Sequence, residues 1–197
     1  IEQDETQVER ANADDIWQVD AAGNQINWTY GTKNERLTER RFLTPDPDGA
    51  GAGVAGNAVT TNYVYYDGRR LSFVVSPEGR VTQYGYNAQG QVISVSEYTE
   101  SVYTGAMTYG AMAVWFAGLA DRSATTRTET SYDVRGNVAT VANYGKVLTS
   151  GNGDNTAATE LSKTYYTYSQ TGQLLSRQVG YGGLTETFVY DGLGRMI

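Results

Sequence analysis

Polar and apolar positions alternate with a period of two through much of this chain, the spacing of a strand with one face toward a core. Val81-Thr82-Gln83-Tyr84-Gly85-Tyr86 leads into a short polar stretch, and Gln91-Val92-Ile93-Ser94-Val95-Ser96 leads out of it. In the second run Ile93 and Val95 alternate with Ser94 and Ser96. Val92 breaks that phase, and the doublet Val92-Ile93 fits a bulge or two buried faces. Thr164–Tyr168 and Thr185–Tyr190 are rich in aromatic and β-branched residues and read as strands. Helical character is confined to residues 109–121. The longest apolar run, Ala111–Ala120, lies there and reads as a buried strand or a short packed helix. Its ten residues are too few to cross a bilayer, which takes about 20, so no membrane insertion by this segment is expected.

Between the strands one signature recurs: an aromatic or apolar residue, then Asp, Asn or Ser, two free positions, Gly, a polar residue and an apolar one. It reads Tyr86-Asn87-Ala88-Gln89-Gly90-Gln91-Val92, and again Tyr132-Asp133-Val134-Arg135-Gly136-Asn137-Val138. Further copies are Tyr168-Ser169-Gln170-Thr171-Gly172-Gln173-Leu174 and Tyr190-Asp191-Gly192-Leu193-Gly194-Arg195-Met196. A degenerate copy runs Val19-Asp20-Ala21-Ala22-Gly23-Asn24, and a shortened one Tyr66-Asp67-Gly68-Arg69-Arg70-Leu71. The physics of the signature is a hairpin. Asp, Asn or Ser accepts a hydrogen bond from the backbone two residues on. Gly three positions later takes the left-handed conformation that closes a type I turn with a bulge.

The turn glycines 90, 136, 172 and 194 are separated by 46, 36 and 22 residues, so the period is irregular. The first interval contains the apolar run, and the second contains Thr149–Thr156, an exposed loop by composition. Pro45–Gly53 is the other flexible stretch. The chain therefore divides into an N-terminal segment, 1–44, with one degenerate repeat; a Gly/Ala/Pro-rich linker or loop, 45–60; and a repeat region, 61–197.

Residues 76–93 resemble the RHS/YD repeat, whose pattern runs Gly-Arg-x-Thr-x-Tyr-x-Tyr-Asp-x-x-Gly-Arg-Leu. Gly79, Arg80, Thr82, Tyr84, Tyr86 and Gly90 match it, while Asn87 and Gln91 stand where the family has Asp and Arg. Tyr190–Met196 matches the second half best, and the resemblance covers about 60–197. It implies an all-β fold, a strip of repeated hairpins forming part of a spiralling β-sheet shell. Such shells occur in large secreted or cell-surface bacterial proteins and often enclose a C-terminal toxic segment. Some also carry a self-cleaving aspartyl site. Asp46-Pro47-Asp48-Gly49 is superficially similar to it, but Ala52 replaces one Gly of that motif, and the copy precedes most of the repeats. It reads as a loop. The chain has no initiator Met and stops where the strand after Gly194 should begin, so a piece of a longer protein is expected.

Composition narrows the chemistry. There is no Cys and no His, which excludes disulfides, thiolate zinc sites, and Cys- or His-based catalysis. The chain holds 22 Asp+Glu against 15 Lys+Arg, net −7, and no nucleic-acid partner is expected because phosphate binding relies on Lys and Arg. Residues 1–50 carry 11 of the acidic and 5 of the basic residues. That acidic opening reads as a solvated segment. Arg36, Arg40 and Arg41 lie within it and make no phosphate-binding patch.

The 16 Tyr could line a sugar-binding face, but Tyr84, Tyr86, Tyr132, Tyr166, Tyr168 and Tyr190 fall where strands should pair. Trp17, Trp28 and Trp115 are better candidates for an exposed platform, and each also suits a core. Asp67, Asp133, Asp154 and Asp191 are the carboxylates to consider for glycoside chemistry. Asp133 and Asp191 occupy positions the turn itself requires. Asn152–Asn155 has calcium-friendly oxygens without the full ligand series.

No enzyme, cofactor or metal is expected. The expected site residues are structural: Asp20, Gly23, Asp67, Gly68, Gly79, Asn87, Gly90, Asp133, Gly136, Ser169, Gly172, Asp191 and Gly194. The expected partners are the rest of the parent polypeptide and an enclosed toxin segment. The alternative is an adhesin module whose exposed aromatics bind a glycan or cell surface. A third reading, a β-propeller, would need four strands per unit where the repeat needs two.

Overall fold

The structure, a computed structural model, describes residues 7–12, 15–46, 55–148, 153 and 160–197. Except for one helix, its regular elements are antiparallel strands. They are hydrogen-bonded in the order of the sequence, β1 to β13. No strand crosses over another, as expected where each hairpin simply follows the last. The chain forms two compact units, residues 1–81 with 101–118, and residues 82–100 with 119–197.

The first unit holds β1 (Gln7–Asn12), β2 (Asp15–Val19), β3 (Gln25–Tyr30), β4 (Arg36–Thr44), β5 (Gly56–Tyr66), β6 (Arg70–Val75) and the start of β7 (Arg80–Tyr86). It also holds α1 (Tyr109–Gly118), placed where helical character was expected. Thr108 caps the helix: its hydroxyl accepts the amide of Ala111 at 3.3 Å and its carbonyl accepts that of Met112 at 3.1 Å. The helix lies against β5 and β6. Tyr109 meets Tyr66 and Phe73 with ring centroids 4.9 and 6.0 Å apart, and Trp115 meets Tyr103 at 5.4 Å. Val64, Phe73, Val75, Val81, Tyr103 and Met112 are all buried, so this unit has a core under an apolar helix.

The expected linker 45–60 is corrected in part. Gly56–Thr60 are the first residues of β5, and Ala58–Thr60 pair with Phe42, Arg41 and Arg40 of β4. Two faces of half-buried Thr, Val and Tyr side chains override the loop reading that the Gly and Ala content invites. Residues 47–54, with most of the Asp46-Pro47-Asp48-Gly49 stretch, lie outside the described residues.

The second unit holds most of β7, most of β8 (Val92–Val102), and β9 (Thr125–Tyr132), β10 (Val138–Tyr144), β11 (Glu160–Tyr168), β12 (Leu174–Val179) and β13 (Thr185–Thr187). It contains no helix among the described residues, and most of its strand positions are half-buried. Cross-strand polar rows take the place of a deep core. Thr128 donates to Asn143 at 2.8 Å, and Asn143 donates to Ser162 at 2.8 Å.

Candidate functional site

The repeat turns share one geometry. In each, the amide of the first residue donates to the carbonyl four residues on, and the amide of the fourth residue donates back to the carbonyl of the first. For Asp133 these bonds are 2.8 and 3.0 Å, and for Asn87, Ser169, Asp20 and Asp191 they span 2.8–3.1 Å. Gly23, Gly79, Gly90, Gly136, Gly172 and Gly194 occupy the fourth position with φ of 78–87°. That is a type I turn closed by a left-handed residue and a bulge.

The side chain of the first residue completes the turn. Asp133 Oδ1 accepts the amides of Arg135 and Asn137 at 2.8 and 2.9 Å, and its Oδ2 accepts the Asn137 side chain at 2.9 Å. Asp191 does the same with Leu193 and Arg195, and its second oxygen takes a 2.7 Å ion pair from Arg195. Asp20 repeats it with Ala22 and Asn24. Asn87 and Ser169 keep the two amide contacts. The carboxyls of Asp133, Asp20 and Asp191 are all held below the ordinary carboxylate value. The principal cause is the side-chain hydrogen bond from Asn137 at Asp133, that from Asn24 at Asp20, and the Arg195 amide at Asp191.

The shortened copy differs. Asp67 and Gly68 both have positive φ, 52° and 68°, and the amide of Arg69 reaches the Tyr66 carbonyl. This is a primed hairpin turn, which needs two left-handed residues and no side-chain acceptor.

Two further turns share the common geometry. Val75-Ser76-Pro77-Glu78-Gly79-Arg80-Val81 fits the signature with an apolar first residue. The turn Gly31–Asn34 inverts the chemistry: Gly31 takes the first place and Asn34 the left-handed one, with φ 61°. Glu35 fills the space a side chain on residue 31 would occupy, and its carboxylate accepts the Lys33 amide at 2.8 Å. The only sequence signal there is Asn, which tolerates left-handed φ.

Within the second unit the turns at Asn87, Asp133, Ser169 and Asp191 are joined in sequence by side-chain contacts. Gln91 donates to the Gly136 carbonyl at 3.2 Å and Arg135 to the Ser169 carbonyl at 2.9 Å. The tyrosines before two of these turns reach back to an earlier hairpin: Tyr132 donates to the Val92 carbonyl at 2.8 Å, and Tyr190 to the Leu174 carbonyl at 3.0 Å. Both acceptors sit five residues after the first residue of their own turn. In the first unit Lys33 donates to the Asp67 carbonyl, the Asp46 amide to the Gly23 carbonyl at 2.9 Å, and the Tyr103 amide to the Gly79 carbonyl at 2.8 Å. An open groove of about 800 Å³ lies along the Asn87 and Asp133 turns, walled by Gln89, Gln91, Ile93 and Tyr132.

The three tryptophans have protein partners. Trp17 packs on Phe42 at 5.8 Å, Trp28 donates to Glu39 at 3.2 Å, and Trp115 packs on Tyr103. Asp154 lies outside the described residues. Among the described residues no helix is long and apolar enough to cross a membrane.

No family model and no curated protein matches the chain. Solved structures do. TcdB2-TccC3 without its hypervariable C-terminal region superposes with a TM-score of 0.54 at 17% identity, covering 92% of this chain. A second TcdB2-TccC3 structure gives 0.44 at 15% identity over 92% of this chain and 9% of that one. The Photorhabdus luminescens Tc holotoxin pore gives 0.46 at 13% identity, again over 92% of this chain and 9% of that one. The likeness to the first is one of fold, an antiparallel all-β sheet, and this chain spans only 8% of its length.

Proposed function

We propose that this chain is a wall segment of an RHS/YD-repeat shell in a secreted or surface-exposed bacterial protein. Its partners are the rest of its parent polypeptide and an enclosed toxin segment, and it has no catalytic role of its own. The observation that carries the reading is the turn-to-turn bonding. Gln91, Tyr132, Arg135 and Tyr190 each bind the backbone of a neighbouring hairpin, which fixes the spacing of successive hairpins. Wall building needs that kind of contact, and catalysis does not. The carboxylates that could have served hydrolysis are occupied instead: both oxygens of Asp133 and of Asp191 are engaged inside their own turns. A substrate would have to break the turn to reach them. The likeness of fold to TcdB2-TccC3 supports the same reading.

Limited proteolysis of the parent polypeptide tests it. The segment following the repeats should resist protease in the native protein and be cut once Gly136→Val loosens the wall. Equal cleavage in both proteins would overturn the proposal.

A further inference from the structure

The turn between β5 and β6 holds an aspartate that its own geometry does not use. Three Asp-Gly pairs occur in the chain, beginning at residues 48, 67 and 191, and Asp48 lies outside the described residues. The other two both read Tyr-Asp-Gly and stand in opposite conditions. Asp191 Oδ1 accepts the amides of Leu193 and Arg195, each at 2.9 Å, and its Oδ2 takes the Arg195 guanidinium at 2.7 Å. Asp67 is exposed, and its carboxylate enters no hydrogen bond or ion pair among the described residues. Its backbone is also disfavoured: an L residue at φ 52° carries a left-handed penalty that Gly68, at 68°, does not.

Lys33 supplies an independent observation. Its stem passes over Gly68, with Cδ 2.9 Å from where a Cβ would sit, and its ammonium donates to the main-chain carbonyl of Asp67. That ammonium pairs with no carboxylate among the described residues. An unspent cation therefore sits on the peptide carbonyl that joins Asp67 to Gly68.

We propose that Asp67-Gly68 is a modification site, at which Asp67 closes to a succinimide and reopens as isoaspartate. The Gly68 nitrogen, with no side chain beside it, attacks the neutral side-chain carboxyl of Asp67. The N–Cγ bond forms, the C–OH bond breaks, and the hydroxyl leaves as water with the Gly68 amide proton. A second water then adds to the main-chain carbonyl carbon and breaks its bond to the Gly68 nitrogen, which regains a proton. The chain now runs through Cγ, the old carbonyl is a free α-carboxylate, and the mass is unchanged. Lys33 polarises the carbonyl that water attacks, which directs opening to isoaspartate over aspartate, and it pairs with the carboxylate formed there. The product adds one backbone methylene to the turn and releases residue 67 from the left-handed constraint. Asp191 is protected, because its carboxyl would first have to leave two amides and Arg195.

The test holds the folded 197-residue chain at mildly acid pH in water enriched in heavy oxygen, then sequences its peptides by mass spectrometry. Each passage through the succinimide leaves a heavy oxygen at that residue. Label at Asp67 should exceed label at Asp191 by at least about tenfold, the equivalent of one charge-assisted hydrogen bond. In denaturant the two sites should label alike, which assigns the difference to the fold. Lys33→Met keeps the stem and removes the ammonium, and Lys33 is exposed. In that variant the ratio of isoaspartate to aspartate among labelled products should fall to that of the denatured chain. Should the variant fail to fold, the comparison of the two sites in the wild-type chain still decides. The proposal is overturned if folded Asp67 labels no faster than Asp191, if the two differ as much in denaturant, or if Lys33→Met leaves the product ratio unchanged.

Discussion

Gly79 and Gly172 hold the same place in the same turn, with φ of 83° and 84°, but their surroundings differ. A Cβ on Gly172 would meet nothing within 4 Å, whereas one on Gly79 would come within 2.6 Å of Val102 and 2.9 Å of the Tyr103 carbonyl. Gly172→Ala therefore tests backbone strain alone and should cost about 1 kcal/mol. Gly79→Ala adds a backbone collision and should cost more, about 2–4 kcal/mol, with equal shifts in thermal melts counting against the separation. The turn aspartates make a second residue-level prediction. Asp20, Asp133 and Asp191 titrate below the ordinary value of 3.8 when folded. The unfolded chain then takes up protons first as pH falls. Their contribution is complete above 3.8 and is lost as pH drops through the lowered folded values. Thermal stability should fall below pH 3.8. Asp133→Asn should keep the turn, as Asn87 does, and make the acid slope shallower. An unchanged slope would remove Asp133 from the account.

At the scale of elements, the hairpin is held from inside by its turn and from outside by its neighbours. Tyr132 tests the outside contact, since its hydroxyl spans from one hairpin to the Val92 carbonyl of another. Tyr132→Phe keeps the ring and removes that bond, so a loss of about 1 kcal/mol is expected, and a stability equal to wild type would show the contact to be incidental. The turns were legible because each uses side chains local to it. Asp133, Asn87 and Ser169 act on amides two and four residues away, and such spacing is visible in a sequence. The Tyr132–Val92 and Arg135–Ser169 contacts join residues 40 and 34 positions apart, and no local pattern encodes them. The Gly31–Asn34 turn was hidden because Glu35 supplies the acceptor from the other end. The start of β5 at Gly56 was obscured by its Gly and Ala, whose strand character comes from pairing with β4.

At the scale of the whole molecule, a sheet built hairpin on hairpin has to end at a strand with one open side. In the second unit β13 pairs with β12 and with no other named strand among the described residues. Beyond it Tyr190 bridges Met196, and the Ile197 amide donates to the Val189 carbonyl at 2.9 Å. Apolar side chains gather in the same region: Leu184, Val189, Leu193, Met196 and Ile197 are all exposed, with Leu184 at 91%. An open backbone edge next to exposed apolar groups favours pairing with another chain, since unpaired amides and carbonyls are a template for a strand. The 197-residue chain should therefore associate as its concentration rises through the micromolar range, measured by light scattering coupled to size exclusion. A charge on that edge opposes the pairing, and Val189→Lys should shift the equilibrium toward monomer without lowering the melting temperature by more than about 2–4 °C, because Val189 is already 58% exposed. A wild-type chain that stays monomeric over the whole range would mean that β13 needs no neighbour. Association undiminished in Val189→Lys would move the contact elsewhere on the molecule.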